Sequence, residues 1–382
     1  MGKTVLLLLL FFSYQITNSQ IDAGIFELNS LNKLLTEEVK KIINNNVSKN
    51  ETVFLGEAVH YSGSDFLAKA EFVKYLVIEH GYKDIAFESD FFALLFDHDK
   101  QNLYRMWSKS SQCKELFDFL KKKEVTIWGF DNRIYSDYSY INFTKKLDQE
   151  LRKGNSRLNE DYERLAKTLI RNQYNSRRLI TKQEIKFLVD YTDQLLNDHL
   201  IYSNVLWVQI LKSFKSAITL YTLNDIYSDK KRIALRDKQM AKNLDFLIQH
   251  NAHNKFIVWL ANGHMSKSND KIMREQTMGY HFRQLNPNSS YHIAVGSIHL
   301  APRTKEKITK AEESDKSILF ALPSVNKNYF IDSKKIIKNN PELNNKVFND
   351  LSIFNLESSK TQILSHFDAL VFIGCGEEVK YD

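Results

Sequence analysis

Cysteine is nearly absent: Cys113 and Cys375 are the only two in 382 residues, which excludes a disulfide-stapled fold. They lie far apart in sequence, so spacing assigns no bridge, and two unpaired, mostly buried thiols are expected. Four prolines and twelve glycines are few for this length, which excludes collagen-like and low-complexity chains and points to a helix-rich protein. Charge of one sign does not dominate either. The 53 basic and 46 acidic residues leave a net charge of +7, dispersed apart from short runs such as Lys121–Lys123. A dispersed excess of that size describes a solvated surface and indicates neither nucleic-acid binding nor membrane docking. After the first twenty residues, no stretch is apolar enough to span a bilayer, so stable membrane insertion is not expected.

The first residues, "MGKTVLLLLLFFSYQITNSQ", hold an early lysine, an apolar run from Val5 to Phe12, and a polar stretch ending in small residues. That is the layout of a secretory signal peptide occupying residues 1–19, with cleavage after Ser19. The run is too short to cross a bilayer as a helix, and no cysteine lies near it to take a lipid. A soluble, secreted or periplasmic protein is expected.

Apolar positions at helical spacing over residues 26–45 predict a first helix. "TVFLGE" (52–57) reads as a short buried strand. "DFLAKAEFVKYLVIEHG" follows as an amphipathic helix closing at Gly81, and "KDIAFESD" (83–90) is a second strand. Strand, helix and strand joined by short turns predict a parallel sheet with helical crossovers. "EVTIWGFDN" (124–132), the start of "KFIVWLANGHMSK" (255–267), "YHIAVGSI" (291–298) and "FDALVFIG" (367–374) extend it to six strands or more. Between them, residues 151–250 read as helix throughout. The fold class is therefore α/β: a mostly parallel central sheet flanked by helices, with an all-helical insertion or cap. The core is divided into a first part, residues 20–150, and a second part, residues 251–382.

Ligands of open α/β sheets bind where the loops leave the carboxyl ends of the strands. The first strand ends at Glu57, with His60 three residues on; the second ends at Glu88 and Asp90; the third at Asp131; the fourth at Asn262 and His264. One polar residue after a strand is usually turn chemistry, and Asp131-Asn132 is an ordinary turn pair. Four strands ending this way at one edge make a site. Glu88 closes the apolar run "IAFES", so it is expected to be buried and to need a partner. The other nine histidines lack a matching acid pattern and read as structural.

The absent motifs narrow the reaction. No Gly-x-Ser-x-Gly elbow occurs, no Cys–His pairing suggests itself, and "GEAVHYSG" lacks the spacing of a phosphate or dinucleotide loop. What remains is water activated by a carboxylate-oriented histidine, with the second imidazole as acid or oxyanion partner and no cofactor. A competing reading makes Glu57, His60, Glu88 and His264 ligands of zinc or manganese, although no His-Glu-x-x-His or other strong ligand motif is present.

The segments "LGEAVH", "EFVKYLVIEHGYKDIAFESD", "GFD", "RDKQMAKNLDFL" and "IVWLANGHMSK" followed by "MGYHF" occur in this order and resemble the erythromycin esterase family from about residue 50 to 375. The resemblance implies an α/β core with added helices and metal-free hydrolysis of a cyclic ester. By motif, His60 resembles the general base, Glu57 and Glu88 the acids that orient it and line the cleft, and His264 the second histidine of the Asn-x-His motif. Arg236 and Asp237 match a helical Arg-Asp pair that is either cleft-lining or an ordinary exposed pair. With Asp90, Asp131 and Asn262, these two form the expected substrate-binding set. Antibiotic-inactivating members commonly read His-Asn-x-His where this chain has Ala261-Asn262-Gly263-His264, a departure that bears on macrolide hydrolysis more than on hydrolysis itself. The reading is an exported family member acting on a small-molecule ester or lactone. A non-enzymatic binding protein with an inherited cleft is the alternative that Ala261 motivates.

Overall fold

Short apolar runs bounded by turn residues become the strands of one eight-stranded sheet. The computed structural model describes residues 21, 23–222, 228–268, 277–354 and 359–381, so the leader-like segment 1–19 lies outside the described residues. In chain order the strands are β1 (Ile25–Glu27), β2 (Thr52–Glu57), β3 (Asp84–Asp90), β4 (Thr126–Asp131), β5 (Phe256–Ala261), β6 (Ser290–His299), β7 (Tyr329–Asp332), a small hairpin of β8 (Phe348–Asp350) and β9 (Ser359–Thr361), and β10 (Ala369–Cys375). The sheet order is β1-β7-β10-β6-β2-β5-β3-β4. Every pair from β10 to β4 is parallel, and these are the six strands expected from sequence. The antiparallel edge of β1 and β7 was not expected.

That edge corrects the helix expected over 26–45. Residues Ile25–Glu27 pair with β7 instead, and the helix α1 begins only at Glu37 and runs to Val47. Thr36 starts it by accepting a hydrogen bond from the Val39 N–H, with Glu37 and Glu38 in the first turn, where the helix dipole favours acids. Helix α2 (Gly63–His80) follows β2; the Ser62 hydroxyl accepts the Asp65 N–H at its start, and Gly81 at φ 68° closes it in the left-handed conformation that glycine adopts without strain.

Helices cover both faces, so the central strands are buried on both sides and read as continuous apolar runs rather than alternating ones. Val53, Leu55, Ile257 and Trp259 face a core shared with α1, α2 and α3 (Ser111–Lys122). Phe54, Ala86, Val258 and Phe372 face the other core. That second core is completed by α4 (Asp137–Arg152), α5 (Glu160–Asn172), α6 (Lys182–Asn197), α7 (Val205–Thr222) and α8 (Ser228–His250). Between β4 and β5 the described residues contain no strand. A one-turn helix, α9 (Asn262–Met265), leaves β5, and α10 (Met278–Leu285) packs against α8. Among the described residues no helix is long and apolar enough to cross a membrane. Both cysteines are free and Cys113 is buried, as expected, whereas Cys375, at the last position of β10, is exposed.

Candidate active site

Parallel pairing brings the carboxyl ends of β2, β5, β3 and β4 side by side, with Glu57 opposite Ala261 and Asp90 opposite Asp131. Two ionic clusters form there. In the first, Glu57 is wholly buried and spends both oxygens: Oε1 lies 3.0 Å from His60 Nδ1, and Oε2 accepts from Lys69 Nζ. The Lys69 ammonium also donates to the Leu260 carbonyl at 3.3 Å and lies 3.8 Å from the centre of the Trp259 ring. Burial lowers the pKa of Lys69 although Glu57 opposes the shift. The sequence reading missed this residue. Its signal is positional: Phe66, Lys69, Val73 and Leu76 share one buried face of α2, where a lysine needs an acid partner.

His60 presents the opposite ring edge to solvent, its side chain 44% exposed, with the Trp107 ring edge-on at 5.9 Å. Burial of the rest of the ring disfavours its charged form. The Glu57 hydrogen bond and charge, with the charge of Glu88, outweigh this and raise the pKa above the ordinary imidazole value. The loop carrying His60 is braced from below and from the side. Asp65 accepts the Ala58 N–H at 3.1 Å and the Ser297 hydroxyl at 2.6 Å. The segment after β10 runs alongside: the Gly63 N–H donates to the Glu377 carbonyl and the Val379 N–H to the Tyr61 carbonyl, both at 2.9 Å.

The second cluster is centred on Arg236 of α8. Its Nε and Nη2 donate to the two oxygens of Asp131 at 3.0 and 2.7 Å, Nη2 reaches Glu88 Oε1 at 2.5 Å, and Nη1 lies 3.1 Å from His264 Nε2. Glu88 Oε2 accepts the Ala261 N–H at 3.1 Å. Burial works against its charge, but His264 and Arg236 hold its carboxyl well below the usual range. His264 Nδ1 lies 2.8 and 3.0 Å from the two oxygens of Asp237, and Nε2 lies 3.5 Å from Glu88 Oε1. Burial disfavours a charged His264, yet Asp237 and Glu88 together raise its pKa. Arg236 and Asp237 are thus buried members of the site, not the exposed helix pair that was the other reading.

Two expected site residues are tied into the fold. Asp90 is buried and saturated: Oδ1 caps the short helix Phe91–Phe96 through the Ala93 N–H, and Oδ2 accepts the Tyr135 and Ser136 N–H groups and the Ser139 hydroxyl. No acceptor is left for a substrate. Asn262 is also buried, its amide donating to the Val295 and Ile353 carbonyls at 2.8 and 2.9 Å, which ties β5 to β6 and to the loop after β8. Gly56 makes room for it, since a Cβ there would stand 2.1 Å from Asn262 Oδ1.

A model of the erythromycin esterase family matches residues 77–374. The chain belongs to that family. Among curated proteins it is similar to the putative hydrolase YbfO of Bacillus subtilis (strain 168), 24% identical over 262 residues, and it spans 58% of that relative's length while 58% of this chain is matched. Three solved structures share the fold. A Bacillus cereus protein superposes at TM-score 0.76 with 18% identity, covering 97% of this chain and 99% of its own. A succinoglycan biosynthesis protein gives 0.73 with 15% identity over 96% and 98%. A variant of the erythromycin esterase EreC in its open conformation gives 0.67 with 14% identity over 93% and 98%.

Within this erythromycin esterase fold the carboxylates are already spent. Glu57 holds His60 and Lys69, Glu88 holds Arg236 and the Ala261 N–H, and both nitrogens of His264 face partners. Among the described residues no group of three or more His, Cys, Asp or Glu side chains is arranged to hold a metal ion. The four residues offered as ligands fall into two separate pairs, Glu57 with His60 and Glu88 with His264. The arrangement suits proton transfer at His60, the member with an unpartnered, water-facing ring nitrogen.

Proposed function

We propose that the protein is a hydrolase of a small-molecule ester or lactone, with His60 as the general base. The observation that carries this is the pairing of a half-exposed imidazole with a fully buried carboxylate, 3.0 Å apart. Glu57 fixes the ring and favours the tautomer with the proton on Nδ1, leaving the Nε2 lone pair to take a proton from water. The oxygen of that water adds to the substrate carbonyl carbon, and the tetrahedral intermediate expels the alcohol oxygen. The protonated His60 then returns that proton to the leaving oxygen, while His264, whose pKa the neighbouring acids raise, adds positive charge beside Glu88. Lys69 pairs with Glu57, and Arg236 with Glu88 and Asp131, as positioning partners behind the reacting groups. Family membership and the hydrolase named among its relatives support this reading. The leader-like residues 1–19 support export, and the helices described within 151–222 and 228–250 support a capping unit on the α/β core.

The test is turnover by His60→Ala across a panel of aryl esters and lactones. A positioned general base contributes ~10²–10⁴-fold, so kcat should fall by that factor with the fold intact by circular dichroism. Wild-type rates in the variant would remove His60 as base. Saturable binding without turnover by the wild type would favour the binding-protein reading.

A further inference from the structure

At the end of the sheet opposite the active site, the amino ends of β6 and β10 open into a cleft of about 380 Å³. Four cations line it: Lys267 from the segment after α9, Arg283 from α10, and Lys334 and Lys338 from α11, Ser333–Asn339. Among the described residues Asp368 is the sole acid in the lining. Its Oδ1 meets Lys267 Nζ at 2.5 Å, Lys334 Nζ stands 4.0 Å away, and Oδ2 accepts the His292 N–H at 2.8 Å. Asp332, next to this cleft, uses Oδ1 to cap α11 through the Lys335 N–H. Four positive groups therefore share the cleft with one carboxylate, which Lys267 and the His292 N–H already occupy.

That surplus sits in a concave, partly enclosed place. Burial lowers the pKa of Lys267 although Asp368 opposes it, and Arg283 and Lys334 push the same way, so a further negative charge would relieve the repulsion. A surplus on an open surface would be screened by salt and need no ligand. Here the cations come from three separate segments and surround a space large enough for a small molecule. Ammonium groups act as point charges and accept oxygens from many directions, which matches a tetrahedral phosphate better than a planar carboxylate; the Arg283 fork adds bidentate recognition.

We propose that this cleft is a second ligand site, separate from the active site, for a small anion bearing one or more phosphate groups. The test is isothermal titration calorimetry on the full chain with inorganic pyrophosphate, and with citrate as a polyanion lacking phosphate, at low and at raised salt. One equivalent of pyrophosphate should bind, more weakly as salt rises, and more tightly than citrate. Lys334 and Lys338 are exposed, so Lys334→Ala/Lys338→Ala should keep the fold and weaken binding by about tenfold or more. Lys267 is left in place because its loss would strand the buried Asp368. His60→Ala should bind pyrophosphate as the wild type does. The proposal falls if pyrophosphate gives no saturable heat, if the double variant binds it equally well, if citrate binds as tightly, or if His60→Ala loses the binding.

Discussion

His60 has one nitrogen committed to Glu57 and one open to water, and its raised pKa has a direct consequence for rate. A general base works only when unprotonated. As pH falls through a pKa above the ordinary imidazole value of about 6.5, kcat/KM should decline, so the acid limb of the profile should lie above that value. A limb well below it would contradict the Glu57–His60 pairing as the source of activation. The residue-level legibility of the site has a clear boundary. Glu57, His60, Glu88 and His264 could be read because strand ends announce them. Lys69 was harder, because its place on a buried helical face says that it needs an acid partner but not that Glu57 of the preceding strand supplies it. Asp90 misled for the opposite reason: it stands at the same edge, but the loop at 135–139 closes over it and consumes its oxygens.

Elements show the same division between local and distant causes. Six parallel strands were legible because each is a short apolar run between turn residues, buried on both faces. Strands β1 and β7 are three and four residues long and gain their identity from pairing across the chain, Ile25 with Ile331, which no periodicity reveals. The loop between β2 and α2 depends on a distant element too. The segment after β10 lies along it, bonded at Gly63 and Tyr61, and Gln112 Nε2 of α3 holds the same segment at the Glu378 carbonyl. A Cβ at residue 63 would stand 2.5 Å from Gln112 Nε2 and 2.9 Å from the Glu378 carbonyl oxygen. Gly63→Val should therefore push this brace away and misplace His60. Since a displacement of about 1 Å can cost ~10²-fold, kcat should drop far more than thermal stability does. Parallel measurement of kcat and Tm checks this; unchanged kcat would show that the brace does not set the histidine.

In the whole molecule, Arg236 is where the helical layer meets the sheet. Its guanidinium, carried by α8, neutralises acids on β3 and β4 that would otherwise be buried charges. Arg236→Met should cost about 3–5 kcal/mol, because uncompensated buried carboxylates are left behind. In the variant Glu88 loses the guanidinium that lowers its pKa and takes up a proton more readily, so the deficit relative to wild type should shrink as the solution is made mildly acidic. Denaturant unfolding at both conditions measures it, and a loss under about 1 kcal/mol would show that water already reaches the pair.

The same side chain decides how traffic reaches the centre. Swinging the helices outward would tear the guanidinium from the two buried acids it bridges, so the helical layer is held down from inside. On the proposed reading, substrate enters at the flank where the His60 ring already meets solvent, and selection falls to the walls of that flank.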